Sequence, residues 1–315
     1  MIDVLFVVLP DTLLLDLAGP AEAFRLANQH LRRSGRADAF CLRYAGPLPE
    51  VPSSVGLALA GLEPLPGALR TPTWVVLLGR PGGVVRNERA WFQARDWLAR
   101  HVAPLLETEQ PTAKLLTVCA GALLAADAGL LGRRRVTTHH DTLQDLARLA
   151  PTVAVQGNRL FVEDGPLISS AGITAGIDLA LHLITQTCGA AVAAAVAQVM
   201  VVFTRRGPQD PQRSPLLAHR DHLHPAVHRV QDAVCANPAG PWPAERLAEE
   251  AHVTPRHLAR LFREHAGLSP RQYVEQVRTA LAHHAIERGL GTPQAVALTG
   301  LGSRRRLRRA LARVD

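Results

Sequence analysis

The chain opens on an apolar run. Residues 2–8 are β-branched, aromatic or leucine apart from Asp3, at strand length, which predicts a strand buried on both faces. Over 16–28 the pattern changes period: Leu17, Ala21, Phe24 and Leu26 recur at helical spacing between polar positions. Short apolar runs at 40–44, 74–78 and 115–118 predict further strands, and 88–101 and 120–128 predict helices between them. Strands alternating with helices imply a parallel sheet covered on both faces. Short strands at 153–155, 159–162 and 167–169 and helices at 176–186 and 190–203 complete this part. Residues 205–215 read RRGPQDPQRSP, where three prolines and a glycine exclude a regular element, so a linker is expected there. Beyond it every strong signal is helical: 226–236, 244–251, 255–265, 270–288, 293–299 and 304–313. The expected division is an α/β domain over 1–204, a linker over 205–215 and an all-α domain over 216–315.

The helical part contains a weak repeat. Residues 248–258 (AEEAHVTPRHL) lie over 297–307 (ALTGLGSRRRL) at an offset of 49. Each copy runs from a small residue through a turn and a hydroxyl residue to a leucine, the spacing of a helix-turn-helix. Thr254 and Ser303 fall where a side-chain oxygen caps the second helix. In the first copy Leu258, Leu261 and Phe262 share one face, which leaves Arg256, His257, Arg260 and Arg263 for the other. In the second, Arg305, Arg306 and Arg309 take the places of Arg256, His257 and Arg260. A capped helix with an apolar back and a basic front suits the DNA major groove, where arginine forks onto guanine or clamps phosphate. The 270–288 helix would space two such units for successive grooves on one face of the duplex, about 34 Å apart. The plain alternative is a helical hairpin with a solvated arginine face.

Charge sharpens this picture. The 315 residues carry a formal charge of +8, with 20 Lys+Arg against 18 Asp+Glu up to Pro215 and 15 against 9 beyond it. The excess therefore sits on the helical third, as expected for a polyanion partner. Lys114 is the sole lysine, so arginine richness is also a property of the whole chain. The 47% hydrophobic content suits two globular cores and excludes a disordered or collagen-like chain. Cys41, Cys119, Cys188 and Cys235 form no CxxC pair, which points to a reduced cytoplasmic protein with neither a disulfide framework nor a metal finger. The 190–203 run is too short for a membrane span, and the N-terminal apolar stretch lacks the basic region of a signal peptide, so no membrane partner is expected. His219, His222, His224 and His228 cluster after the linker, with His224 and His228 four apart. A solvated histidine-rich junction is the simpler reading there, and neither metal nor cofactor is expected.

The α/β part holds one candidate chemical group. KLLTVCAGA (114–122) reads as strand, sharp turn and helix with Cys119 at the turn, where a helix dipole favours thiolate. His139 and His140 end a strand in VTTHH and could serve as base, with Asp16 as the carboxylate partner. A buried cysteine is also a small hydrophobe, so the residues alone leave both readings open. Glycine patterns for nucleotide binding are absent, and GRPGG (79–83) is read as a turn.

Two resemblances connect these features. Residues 247–278 (LAEEAHVTPRHLARLFREHAGLSPRQYVEQVR) closely resemble the AraC family DNA-binding domain, in which a helix joins two helix-turn-helix units. The second unit departs from it, with Leu301 where the family usually has phenylalanine. Residues 16–28, 118–140 and 169–184 resemble the flavodoxin-like ThiJ/PfpI, class I glutamine-amidotransferase-like domain that precedes an AraC domain in GlxA-type regulators. The resemblance implies that Cys119 matches the elbow cysteine, His139 the histidine and Asp16 the acidic position, all vestigial for catalysis. It also implies that the backbone amides of Arg80 and Ala120 occupy oxyanion-hole positions. A pocket of Asp16, Arg80, Cys119, Ala120, Gly121 and His139, closed by Thr174 or merely packed by the small residues around it, would then sense a small effector, with nitrogenous metabolites the first candidates. The expected protein is a homodimeric, sequence-specific regulator of transcription with double-stranded DNA as partner, and not an enzyme. Its rivals are a cysteine amidohydrolase or hydratase of the ThiJ/PfpI type and a non-specific nucleic-acid-binding protein.

Overall fold

Strands and helices are interspersed up to residue 199, and among the described residues only helices follow. The computed structural model describes residues 1–82, 88–108, 111–202, 206–208, 210–212, 217–287, 289–301, 303, 305 and 307. It divides into two compact units, Met1–Gln212 and Arg213–Asp315. In the first, the order is β1 (Ile2–Val7), α1 (Leu14–Arg33), β2 (Phe40–Gly46), β3 (Glu50–Pro52), β4 (Ala58–Ala60), β5 (Glu63–Pro64), β6 (Thr73–Leu77), α2 (Arg89–His101), α3 (Ala103–Leu106), β7 (Ala113–Val118), α4 (Gly121–Asp127), β8 (Arg135–Val136), α5 (Leu143–Leu149), β9 (Ala154–Val155), β10 (Phe161–Asp164), β11 (Leu167–Ser170), α6 (Ala175–Cys188) and α7 (Ala190–Val199).

Seven strands form one sheet in the order β10-β11-β7-β6-β1-β2-β5, parallel throughout except for the β10–β11 pair. β1 and β6 are apolar along nearly their whole length because the central strands have helices packed against them. Under α1, Phe24 meets Phe40 and Trp74 at ring-centroid distances of 4.8 and 5.9 Å. Strand order reverses at β1: the chain moves to β2 on one side and returns to β6 on the other. In such sheets a ligand crevice opens at the carboxyl ends of the strands beside the reversal. The segments leaving β1, β6 and β7 carry Asp16, Gly79 and Cys119.

The β3–β4 hairpin and α5 have no counterpart in the hydrophobic pattern. Three-residue strands offer too few positions to show a period, and α5 buries only Leu146. α7 ends at Val199, short of the expected 203, and Val201 takes a left-handed φ of 55°. The expected linker is docked over its described residues: Arg206 bonds to α6, and Gln212 to Thr138 after β8 and Arg159 before β10.

The second unit contains α8 (Pro225–Ala236), α9 (Ala244–Ala251), α10 (Pro255–Ala266), α11 (Pro270–Glu287) and α12 (Thr292–Thr299). Val227, Val230 and Val234 of α8, Leu247 of α9 and Leu258, Leu261 and Phe262 of α10 share a core with Tyr273, Val274 and Val277 of α11. The other end of α11 supplies Ala282 and Ala285 to a smaller cluster with Ala295, Leu301 and Leu307. At 1.5 Å per residue its 18 residues span roughly 27 Å, so one rigid helix joins two small cores.

Candidate functional site

In the helical unit, α9 closes on His252 in a left-handed conformation, Val253 fills the turn, and Thr254 caps α10. The Thr254 hydroxyl accepts from the His257 amide at 3.3 Å, the capping bond expected from the sequence. Leu258, Leu261 and Phe262 are buried, while Arg256, His257, Arg260 and Arg263 are exposed. The Arg260 guanidinium lies 3.2 Å from the His257 ring, so the two share one surface. In the second copy α12 ends on left-handed Gly300, one position earlier in the repeat than His252, so this turn is one residue longer. The Leu307 amide donates to the Ser303 carbonyl as Leu258 does to Thr254, and the 49-residue offset returns in the second helix. Arg305 is exposed and Leu307 buried. Arg306 and Arg309 lie outside the described residues.

His222, His224, His228 and His265 meet at the start of α8, with ring centroids 4.4 Å apart for His222–His228 and 4.6 Å for His224–His265. Burial and the neighbouring imidazoles lower the pKa of His222 and His224. Among the described residues, the group that brings three ligand-type atoms within 4.8 Å of one another is His139, His140 and Asp141, in the other unit.

In the α/β unit, Cys119 stands between β7 and α4 with a left-handed φ of 56°, the strained elbow that strand-turn-helix spacing predicts. Two glycines make room for it. A Cβ on Gly79 would lie 2.6 Å from both the Asp16 Oδ2 and the Cys119 Cβ; one on Gly172, at φ +90°, would lie 2.1 Å from the Cys119 Cβ. Backbone replaces side chain on both sides of the sulfur, and Asp16 comes in beside it. The Asp16 carboxylate is fully buried and accepts from the Gly79 amide at 3.0 Å and the Ile173 amide at 2.7 Å. Burial outweighs these two bonds and raises its pKa from 3.8 to about 6.

The sequence expectation of a thiolate is not met. Burial pushes the Cys119 thiol up to about 12, the Asp16 charge adds to this, and the Ala120 amide at the helix start opposes it with a smaller effect. A seven-residue helix does not offset removal of the sulfur from water beside a carboxylate. At neutral pH the site therefore offers a protonated thiol.

The other expected residues fall as follows. Ala120 and Gly121 are buried at the start of α4. His139 is half-buried on the adjoining loop, where its Nδ1 accepts from the Asp141 amide and its ring lies 4.1 Å from that of His140. The preceding Thr138 ties this loop to the elbow by donating to the Cys119 carbonyl at 2.8 Å. Arg80 was expected to act through its backbone amide. Its side chain is itself buried, with Nη2 2.8 Å from Glu88, while Nε and Nη1 have no hydrogen-bond partner among the described residues. The Thr174 hydroxyl accepts from Arg206 at 2.9 Å, so its partner is the segment after α7. Gly79 and Thr138 escaped the sequence reading; the 172–176 segment was expected to close the pocket through Thr174 or only to pack tightly, and the residues that meet Cys119 and Asp16 are Gly172 and Ile173.

Residues 80–186 match the DJ-1/PfpI family and residues 247–314 match a helix-turn-helix domain family. The HTH-type transcriptional regulator GbdR of Pseudomonas aeruginosa is 30% identical over 61% of this chain and 52% of its own length. An isonitrile hydratase of Pseudomonas putida is 40% identical over 28% of this chain and 42% of its own length. The chain thus spans about half the length, or less, of these curated relatives. A crystal structure of an AraC family transcriptional regulator from Pseudomonas putida shares the fold over 64% of this chain and all of that one, with a TM-score of 0.51 at 19% identity.

Proposed function

We propose that this chain, a member of the AraC-type regulators that carry a DJ-1/PfpI-family domain ahead of the helix-turn-helix domain, binds double-stranded DNA and controls transcription in response to a small effector. The observation that carries the reading is α10: a capped helix held by Leu258, Leu261 and Phe262 that turns Arg256, His257, Arg260 and Arg263 to solvent. That face can enter a major groove, with the guanidiniums reaching base edges or phosphates. Ser303 and Arg305 of the second unit, with Arg306 and Arg309, would engage a neighbouring groove, α11 setting the separation.

Residues 1–204 are the sensor in this reading, 205–215 connect and 216–315 bind DNA. The effector would lie at the carboxyl ends of β1, β6 and β7, against the Cys119 thiol, the Ala120–Gly121 backbone, His139, Asp16 and Arg80. Arg80 supports this with two buried nitrogens that lack partners among the described residues, donors for an acceptor group on the ligand. A small nitrogenous metabolite remains the first effector class to screen. A homodimer acting in the cytoplasm completes the proposal; no described helix is long and apolar enough to cross a membrane.

The test is fluorescence anisotropy of the full chain on duplex DNA from its own upstream region and on a scrambled duplex. Tighter binding to the native sequence, weakened by Arg256→Ala and Arg260→Ala, is expected. Equal binding to both with a steep salt slope would favour a non-specific binder, and no binding at low salt would sink the reading. The stretch shared with an isonitrile hydratase favours an enzyme as second reading. A protonated, buried thiol weighs against it. That reading requires turnover that Cys119→Ser abolishes.

A further inference from the structure

The segment after α7 is fastened at two places, and both lie against the walls of the Cys119 site. At one, Arg206 reaches α6. Its Nε and Nη2 donate to Asp178 Oδ2 at 3.0 and 2.5 Å, its backbone amide donates to Oδ1 at 3.2 Å, and Nη2 also donates to the Thr174 hydroxyl. Thr174 ends the turn in which Gly172 packs on the sulfur's Cβ and Ile173 donates to Asp16. This turn is strained: Gly172 and β-branched Ile173 are consecutive left-handed residues, so it needs holding in place. At the other place, the Gln212 side-chain amide donates to the carbonyls of Thr138 and Arg159 at 2.8 and 3.0 Å and to the Thr137 hydroxyl at 3.1 Å. Thr138 in turn holds the Cys119 carbonyl and leads into His139. Between the two, the Asp210 carbonyl accepts from the Leu160 amide.

We propose that Arg206 and Gln212 are positioning residues of the effector site, so that opening of the site and release of the clasp these two residues form are one coupled equilibrium. The clasp directly precedes the helical unit in sequence. It therefore supplies what effector control requires: a segment whose attachment depends on the state of the pocket. The chemistry is reciprocal. Asp178 is buried, and Arg206 supplies its counter-charge; withdrawing the guanidinium leaves that carboxylate unpaired at the base of the strained turn. A ligand that displaces Ile173 or Thr138 strains the same bonds from the other side. This inference rests on the sensor reading above, but its test requires neither DNA nor an identified effector.

Iodoacetamide is the probe, applied to the full-length protein with each cysteine followed by peptide mass spectrometry. Cys119 is expected to react slowly in the native chain. Arg206→Ala and Gln212→Ala should each raise its rate at least fivefold, with Cys41 and Cys188 unchanged and Arg206→Lys restoring part of the protection. Conversely, protein alkylated at Cys119 should be cut by trypsin at Arg206 at least fivefold faster than unmodified protein. A Cys119 rate within twofold of wild type in the double variant would overturn the proposal, whether or not the chain binds DNA. So would an equal rise at all three cysteines, which marks general loosening.

Discussion

Asp16 allows a prediction whose size follows from its surroundings. The carboxylate is ordinary in the unfolded chain, with a pKa of 3.8, and buried in the folded one, where the value rises to about 6. The folded state therefore holds its proton across a pH range in which the unfolded state has released it. Stability from this group is fully present below about 4, falls as pH rises, and is gone above about 6. At about 1.4 kcal/mol per pH unit the whole loss is about 3 kcal/mol, with about 2 kcal/mol of it between pH 4.5 and 7.5. Asp16→Asn removes the titration. It also leaves one of the Gly79 and Ile173 amides without its acceptor, a roughly pH-independent cost of about 1–3 kcal/mol. The diagnostic quantity is thus the change in the wild-type-minus-variant difference with pH. Trp74, Trp91 and Trp97 lie in the α/β unit and Trp242 alone in the helical unit. Urea unfolding followed by tryptophan fluorescence in a Trp242→Phe background therefore reports the α/β unit. Between pH 4.5 and 7.5 wild type should lose about 2 kcal/mol more than Asp16→Asn. A difference constant within ~0.5 kcal/mol would show that burial does not dominate this carboxylate, and the description of the site would be wrong.

Other substitutions probe separate parts of the argument. Gly172→Ala places a Cβ 2.1 Å from that of Cys119 at a left-handed φ, and overpacking plus backbone strain should cost about 2–5 kcal/mol, a fall of roughly 5–15 °C in the melting of the α/β unit. A fall under 2 °C would mean the glycine is not needed. Thr254→Ala removes the cap of α10 and should destabilise the helical unit by about 1 kcal/mol, with Thr254→Ser recovering most of it in a circular-dichroism melt. Arg256→Ala and Arg260→Ala should each lower the slope of log affinity against log salt by about 0.9 wherever the arginine contacts a phosphate. An arginine that reads a base should instead relax sequence preference, and one that alters neither is not at the interface.

Much of the architecture was legible in residue order because it depends on local periods. Continuous apolar runs of strand length mark β1, β6 and β7, and a 3.6-residue apolar period marks α1 and α2; the basic face of α10 followed once Leu258, Leu261 and Phe262 were assigned inward. The turn at Cys119 was also legible, since a small-residue run between strand and helix leaves little alternative.

The environment of that cysteine was not. A helix N-terminus in sequence suggests a thiolate, but the ionisation of a thiol depends on what displaces water around it. Here that is Asp16 from one chain segment, Gly79 from a second and Gly172 from a third. The prolines and glycine of 205–215 likewise exclude regular structure without indicating where the segment lies. Its docking depends on a buried carboxylate in α6 and two carbonyls brought together by the sheet. Periodicity determined which residues face inward, because it is a property of neighbours along the chain. Charge state and attachment were decided by the fold, because each depends on groups distant in sequence that only tertiary packing brings within a few ångströms.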